Sequence, residues 1–247
     1  MKIGVCDSGL GGLTVLRQLV KRYPNHDYLY YGDTKHLPYG EKTKSQLMEY
    51  ASGMIDYFKR QDVGLIVIAC GTISTNIYEE LRQKYSIPMI DIISPTIDYL
   101  KEKNFSSVGV LATPMTIHSH VFDDALCHNT TTVACPKFVP LIENGEMDSP
   151  ECKDAISLYL RPMIESKVEH IVLGCTHYPI LVDNMENEYP CDYIDMGDIL
   201  ATYLKLGKNT SETGSVELYF SQVTPILEKM IDLVFPFPYH MNKETNY

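Results

Sequence analysis

Short apolar runs alternate with longer amphipathic stretches along most of the chain. The apolar runs predict strands over residues 2–6, 28–31, 65–69, 89–92, 107–111, 131–134, 170–173 and 193–195. Between them, apolar residues three and four apart predict helices over 13–22, 43–59, 74–85, 95–103, 116–126, 152–165, 179–188 and 198–205. The stretch 43–59 shows the stripe well, with Leu47, Met48, Tyr50, Ala51, Met54, Ile55 and Phe58 on one face. Continuous apolar strands are buried on both faces. Strands that alternate with helices build mostly parallel sheets covered by those helices, so the expected class is α/β.

The pattern also repeats. Residues 63–70, ending in Cys70, align with residues 168–175, ending in Cys175, at an offset of 105 (175 − 70). Ile3-Gly4-Val5 and Val108-Gly109-Val110 recur at the same offset, and Ile90-Asp91 recurs as Ile194-Asp195 at 104. Three runs recurring in order predict two pseudo-symmetric units, each a mostly parallel sheet flanked by helices, with an active site between them. The break falls near Ser94-Pro95. A further strand at 216–220 and a helix at 225–234 are placed back on the first unit. The domains expected are thus 1–94 plus 209–247, and 95–208. The chain from about Pro236 is polar, Pro-rich and expected to be peripheral.

Composition narrows the function. With 247 residues, 45% of them hydrophobic, the chain can bury a substantial core. A net charge of −11 argues against a nonspecific nucleic-acid surface. No apolar run is long enough for a bilayer span, and residues 2–6 are too short for a signal-peptide core. Seven cysteines without a C-x-x-C spacing fit neither a disulfide framework nor zinc. The expectation is a cytoplasmic protein with free thiols, no membrane partner and no metal. His118 and His120 lack matching ligands and read as a polar helix face.

Ligands of open α/β sheets bind at the C-terminal tips of the strands. Four loops there run into helices: Asp7-Ser8-Gly9-Leu10-Gly11-Gly12, Cys70-Gly71-Thr72, Thr113-Pro114-Met115-Thr116 and Cys175-Thr176-His177-Tyr178-Pro179. Helix N-termini there suit carboxylate or phosphate. The first loop fails the dinucleotide pattern, with Thr14 where a third glycine belongs, and has no P-loop lysine. Its glycines fit a plain tight turn equally well. A lone buried cysteine is usually inert. Two at matching strand tips instead suggest two acid/base groups on opposite sides of one carbon. His177 reads either as their partner or as a polar core residue.

Four segments together resemble the glutamate racemases, the cofactor-independent branch of the aspartate/glutamate racemase superfamily. They are residues 3–14, Tyr31-Gly32-Asp33-Thr34 with Pro38-Tyr39-Gly40, Ala69-Cys70-x-Thr72, and Gly174-Cys175-Thr176-His177-Tyr178-Pro179. The resemblance implies that Cys70 acts on the D-enantiomer and Cys175 on the L-enantiomer, with Asp7, Glu143 and His177 assisting. It implies a substrate pocket of Ser8, Pro38, Tyr39, Gly40, Gly71, Thr72, Thr113, Thr116 and Thr176. It further implies glutamate as substrate, no cofactor, a homodimer, and a supply of D-glutamate for peptidoglycan. Gly71 departs from the family's usual Asn. A lost charge-assisted hydrogen bond costs about 1.5–3 kcal/mol, or roughly tenfold or more in binding. A racemase of aspartate or another amino acid, and an inactive amino-acid-binding relative, are therefore the competing readings.

Overall fold

A computed structural model describes residues 1–126, 130–207 and 213–242. The first part of the chain forms β1 (Lys2–Asp7), α1 (Gly12–Arg22), β2 (Asp27–Gly32), α2 (Lys44–Arg60), β3 (Leu65–Ile68), α3 (Gly71–Lys84), β4 (Met89–Asp91) and α4 (Ile93–Lys103). The second forms β5 (Val108–Ala112), α5 (Pro114–His118), α6 (Val121–Leu126), β6 (Thr130–Ala134), α7 (Phe138–Glu143), α8 (Pro150–Glu165), β7 (His170–Leu173), α9 (Val182–Glu188), β8 (Asp192–Asp195) and α10 (Met196–Tyr203). The tail adds β9 (Val216–Phe220), α11 (Pro225–Val234) and β10 (His240–Met241).

These strands make two sheets, ordered β10-β9-β2-β1-β3-β4 and β6-β5-β7-β8, with every pairing parallel. The α/β class follows directly from the sequence pattern. Ile3, Val5, Val67, Val110 and Val172 are all fully buried, as continuous apolar strands require. Helix starts are set by short polar caps: Thr43 and Gln46 form a capping box on α2, and Ser149 caps α8 just before Pro150. One face of the first sheet has its own core around Leu47, Phe58 and Leu81. The other face shares a continuous core with the second sheet, from Leu13 and Tyr30 through to Val110 and Leu173. There α1 lies on α10, close enough that a Cβ on Gly197 would stand 3.1 Å from the Val15 Cα.

Several details differ from the sequence expectation. The stretch 116–126 is two helices, because His120 takes a left-handed φ of 56° between them. Helix α7 is an addition to the expected elements; its sequence FVPLIE is β-branched and carries Pro140. Helix α3 starts at Gly71, three residues early, which puts Gly71 and Thr72 in its first turn. The chain beyond Pro236 is not wholly peripheral, since β10 pairs with β9. Ser94 and Pro95 sit inside α4, and the 208/209 boundary lies outside the described residues. Among the described residues no helix is long and apolar enough to cross a membrane.

Candidate active site

Both cysteines stand at strand tips that face one another. Cys70 follows β3 and is the residue from which α3 starts; Cys175 follows β7. They line one cavity of about 40 Å3 between the sheets, together with Ser8, Pro38, Tyr39, Gly40, Gly71, Thr72, Thr113, Thr176 and His177. That volume holds a few waters rather than an amino acid. The two sides are stitched together around it. Thr72 and Thr113 hydroxyls lie 3.1 Å apart, Thr14 Oγ1 donates to Thr176 O at 2.9 Å, and the Leu10 N–H donates to Glu143 Oε1 at 2.8 Å.

Asp7, Thr116 and Glu143 stand one layer behind the cavity wall. Asp7 is fully buried; its carboxylate accepts from the N–H groups of Gly9 and Gly12 at 3.2 and 2.9 Å and from Thr176 Oγ1 at 3.3 Å. Thr116 receives the Thr113 hydroxyl at 3.1 Å. Glu143 Oε1 lies 2.6 Å from His177 Nε2, while His177 Nδ1 lies 3.7 Å from Cys175 Sγ. The result is a Cys175–His177–Glu143 line. Gly11 N is also 3.3 Å from Nε2, but a ring nitrogen cannot donate to one group and accept from the other. The shorter, charge-assisted contact assigns Nε2 as a donor to Glu143.

The glycine loop 9–12 is therefore more than a turn. A Cβ on Gly9 would stand 2.4 Å from Glu143 Oε1, and one on Gly11 would stand 2.3 Å from His177 Nδ1. Gly40 and Gly71 repeat the theme against Thr113 Cβ at 3.2 Å and Gly174 O at 3.0 Å. At four crossing points the first unit meets the second with a residue that has no side chain. Gly71 thus trades a side-chain contact for close approach of the two cysteine loops.

Comparison with known proteins decides the family. The Asp/Glu/Hydantoin racemase family profile matches residues 3–204. The chain belongs to that family. It is 36% identical to the glutamate racemase of Aquifex aeolicus over 239 residues, 95% of this chain and 94% of that one. The glutamate racemase of Francisella tularensis, solved in complex with D-glutamate, superposes with a TM-score of 0.87 at 28% identity, covering 98% of this chain and 96% of that one. That of Thermus thermophilus, in complex with β-chloro-D-alanine, gives 0.84 at 28% identity over 98% and 95%.

Burial sets the electrostatics of this racemase-family site. It pushes the Cys70 thiol up to about 12, with the Asp7 carboxyl adding to it and the Ile73 N–H and Ser8 hydroxyl pulling back. For His177, burial works against the charged ring, but hydrogen bonds to Cys175 and Glu143 outweigh it and raise the ring well above the ordinary histidine range. Burial likewise raises Asp7, against the charge of His177 and the two N–H bonds. A carboxyl raised by folding stabilises the fold below its ordinary range, and this is lost as pH climbs through its folded value. Asn at position 7 has no proton to lose. Asp7→Asn is therefore expected to gain Tm relative to the parent from pH 4 to pH 7.5 while losing activity; melting curves across that range check it, and a constant gap would contradict it.

Sequence reasoning missed Cys135, Pro136, Val139 and Glu41 as lining residues, and it held Pro114 and Gly174 only as members of their loops; all six line the cavity. The strand-tip rule reaches Cys135, since it directly follows β6. His118 and His120 stay outside the cavity, and among the described residues no group of three or more His, Cys, Asp or Glu could hold a metal.

Proposed function

We propose that this chain is a glutamate racemase that exchanges the α-proton between the two faces of glutamate without a cofactor. The observation that carries the reading is the presence of Cys70 and Cys175 on one cavity, each supplied by a different sheet. Cys175, as thiolate, takes the α-proton of L-glutamate. The electron pair left on Cα is spread into the carboxylate, and Cys70, as thiol, gives its own proton to the opposite face. The return direction exchanges the roles.

Cys70 cannot wait as a free thiolate. Burial, which pushes its thiol up to about 12, holds Cys70 protonated at neutral pH. The substrate ammonium, entering beside Cys70 and Ser8 with Asp7 behind them, supplies the positive charge that makes the base on binding. His177, held by Glu143, serves as proton partner of Cys175. Thr72, Thr113 and Thr176, with the N–H groups of Gly71 and Thr72 at the start of α3, hold the carboxylates; Thr116 steadies Thr113, and Pro38, Tyr39 and Gly40 close the wall. Exclusion of water is part of the chemistry, since a thiolate is a weak base for so weak a carbon acid. The cavity is too small for glutamate as folded, so the two units, 1–94 plus 209–247 and 95–208, part to admit it. The setting is a cytoplasmic homodimer that supplies D-glutamate to peptidoglycan.

The test is proton NMR of the protein with L-glutamate in D2O, with chiral analysis of the product. Loss of the α-proton signal together with D-glutamate is expected. Exchange with aspartate or another amino acid but not glutamate would transfer the reading to that substrate, and no exchange with any would leave a binding protein.

A further inference from the structure

The segment between β2 and α2 supplies the Pro38–Glu41 part of the cavity wall, yet Asp33 does not reach the cavity. Asp33 is 3% exposed and lies just past the tip of β2. Its N–H donates to Asp7 O at 3.0 Å, which ties the loop to the end of β1. Its Oδ2 accepts the Tyr39 hydroxyl at 2.6 Å. His36 Nδ1 lies 2.8 Å from the same oxygen and 3.0 Å from Oδ1. The His36 ring stacks flat on Tyr50 of α2, 4.0 Å between centroids at 8°. The buried carboxylate is thus gripped from outside by an anchored ring and from inside by a pocket-wall hydroxyl. The Tyr39 hydroxyl is the donor in this bond, and burial, with Asp33 beside it, pushes the phenol up and keeps it a donor. The next residue, Gly40, is packed against Thr113 of the second unit.

We propose that Asp33 is a positioning residue for the substrate pocket: by holding the Tyr39 hydroxyl it keeps the 39–41 turn pressed on Thr113 and so fixes the closed wall beside Cys70. It acts on substrate only through Tyr39. The kinetic part of the test rests on the racemase reading; the chemical part does not.

Tyr39→Phe removes only the hydroxyl, and Asp33→Asn keeps an acceptor of the same shape. In Tyr39→Phe and Asp33→Ala, KM for D-glutamate is expected to rise about tenfold with kcat within about threefold, because neither thiol is touched. Asp33→Asn should keep most of the parental KM, and the double variant Asp33→Ala/Tyr39→Phe should be no worse than Asp33→Ala. Alkylation of Cys70 by iodoacetamide, followed by mass spectrometry against the partly exposed Cys191 as internal reference, should quicken in the same two single variants and not in Asp33→Asn. Parental KM and parental alkylation in Tyr39→Phe would overturn the proposal, as would additive effects in the double variant. A parent protein that leaves glutamate unchanged would defeat the racemase reading instead; the alkylation rates would then decide the positioning role alone.

Discussion

Cys70→Ala and Cys175→Ala are each expected to lower kcat/KM for racemisation by at least about a thousandfold, the scale of losing a general base or acid. The loss must be equal in both directions. Enantiomers in water have an equilibrium constant of one, so the two values of kcat/KM cannot diverge in any variant. Isotope exchange separates the two residues instead. With Cys70 gone, Cys175 still faces one enantiomer, and whatever exchange survives in D2O is confined to L-glutamate. With Cys175 gone, it is confined to D-glutamate. Exchange on the opposite enantiomer would reverse the assigned faces. Inversion at the parental rate in either variant would dismiss the two-base mechanism.

Gly11→Ala is the second large effect. Gly11 has φ −55° and ψ −37°, a right-handed conformation that alanine adopts without strain. Its new methyl would nonetheless lie 2.3 Å from His177 Nδ1 and 2.5 Å from Thr176 Oγ1, where non-bonded heavy atoms want about 3.5 Å or more. The ring has to move by about 1 Å, enough to cost roughly a hundredfold in rate. Overpacking of this kind also costs about 1–3 kcal/mol of stability, so the variant should fold with a lowered Tm. Gly53→Ala is the control: its Cβ would meet nothing within 4 Å. A folded Gly11→Ala enzyme with parental kcat would show that His177 is not held where the mechanism needs it.

Most of both sheets is legible in the residues because strands such as β1, β3, β5 and β7 are short apolar runs bounded by polar turns, and the offset of 105 pairs Cys70 with Cys175 by spacing alone; the two-residue β10 leaves no such run. The cavity wall at Ser8, Thr72, Thr113 and Thr176 is legible for a related reason, since all of them follow strand tips. The layer behind leaves a weaker trace. Glu143 came only through resemblance, because a Pro-containing six-residue helix leaves no clear periodicity. The Asp33–Tyr39 bond joins side chains six residues apart across a turn, where no repeat or amphipathic rule applies. The glycine loop was ambiguous because what gives it meaning is a contact with residues more than 130 positions away.

The path of the chain has a mechanical consequence. It leaves the first sheet after β4 and comes back to it before β9, so two covalent links join the halves. A single tether would act as a ball joint, free to twist the halves against each other. A chain that crosses twice opposes such a twist more than a chain that crosses once. The double crossing thus helps keep Cys70 and Cys175, one from each sheet, on opposed sides of the cavity they share.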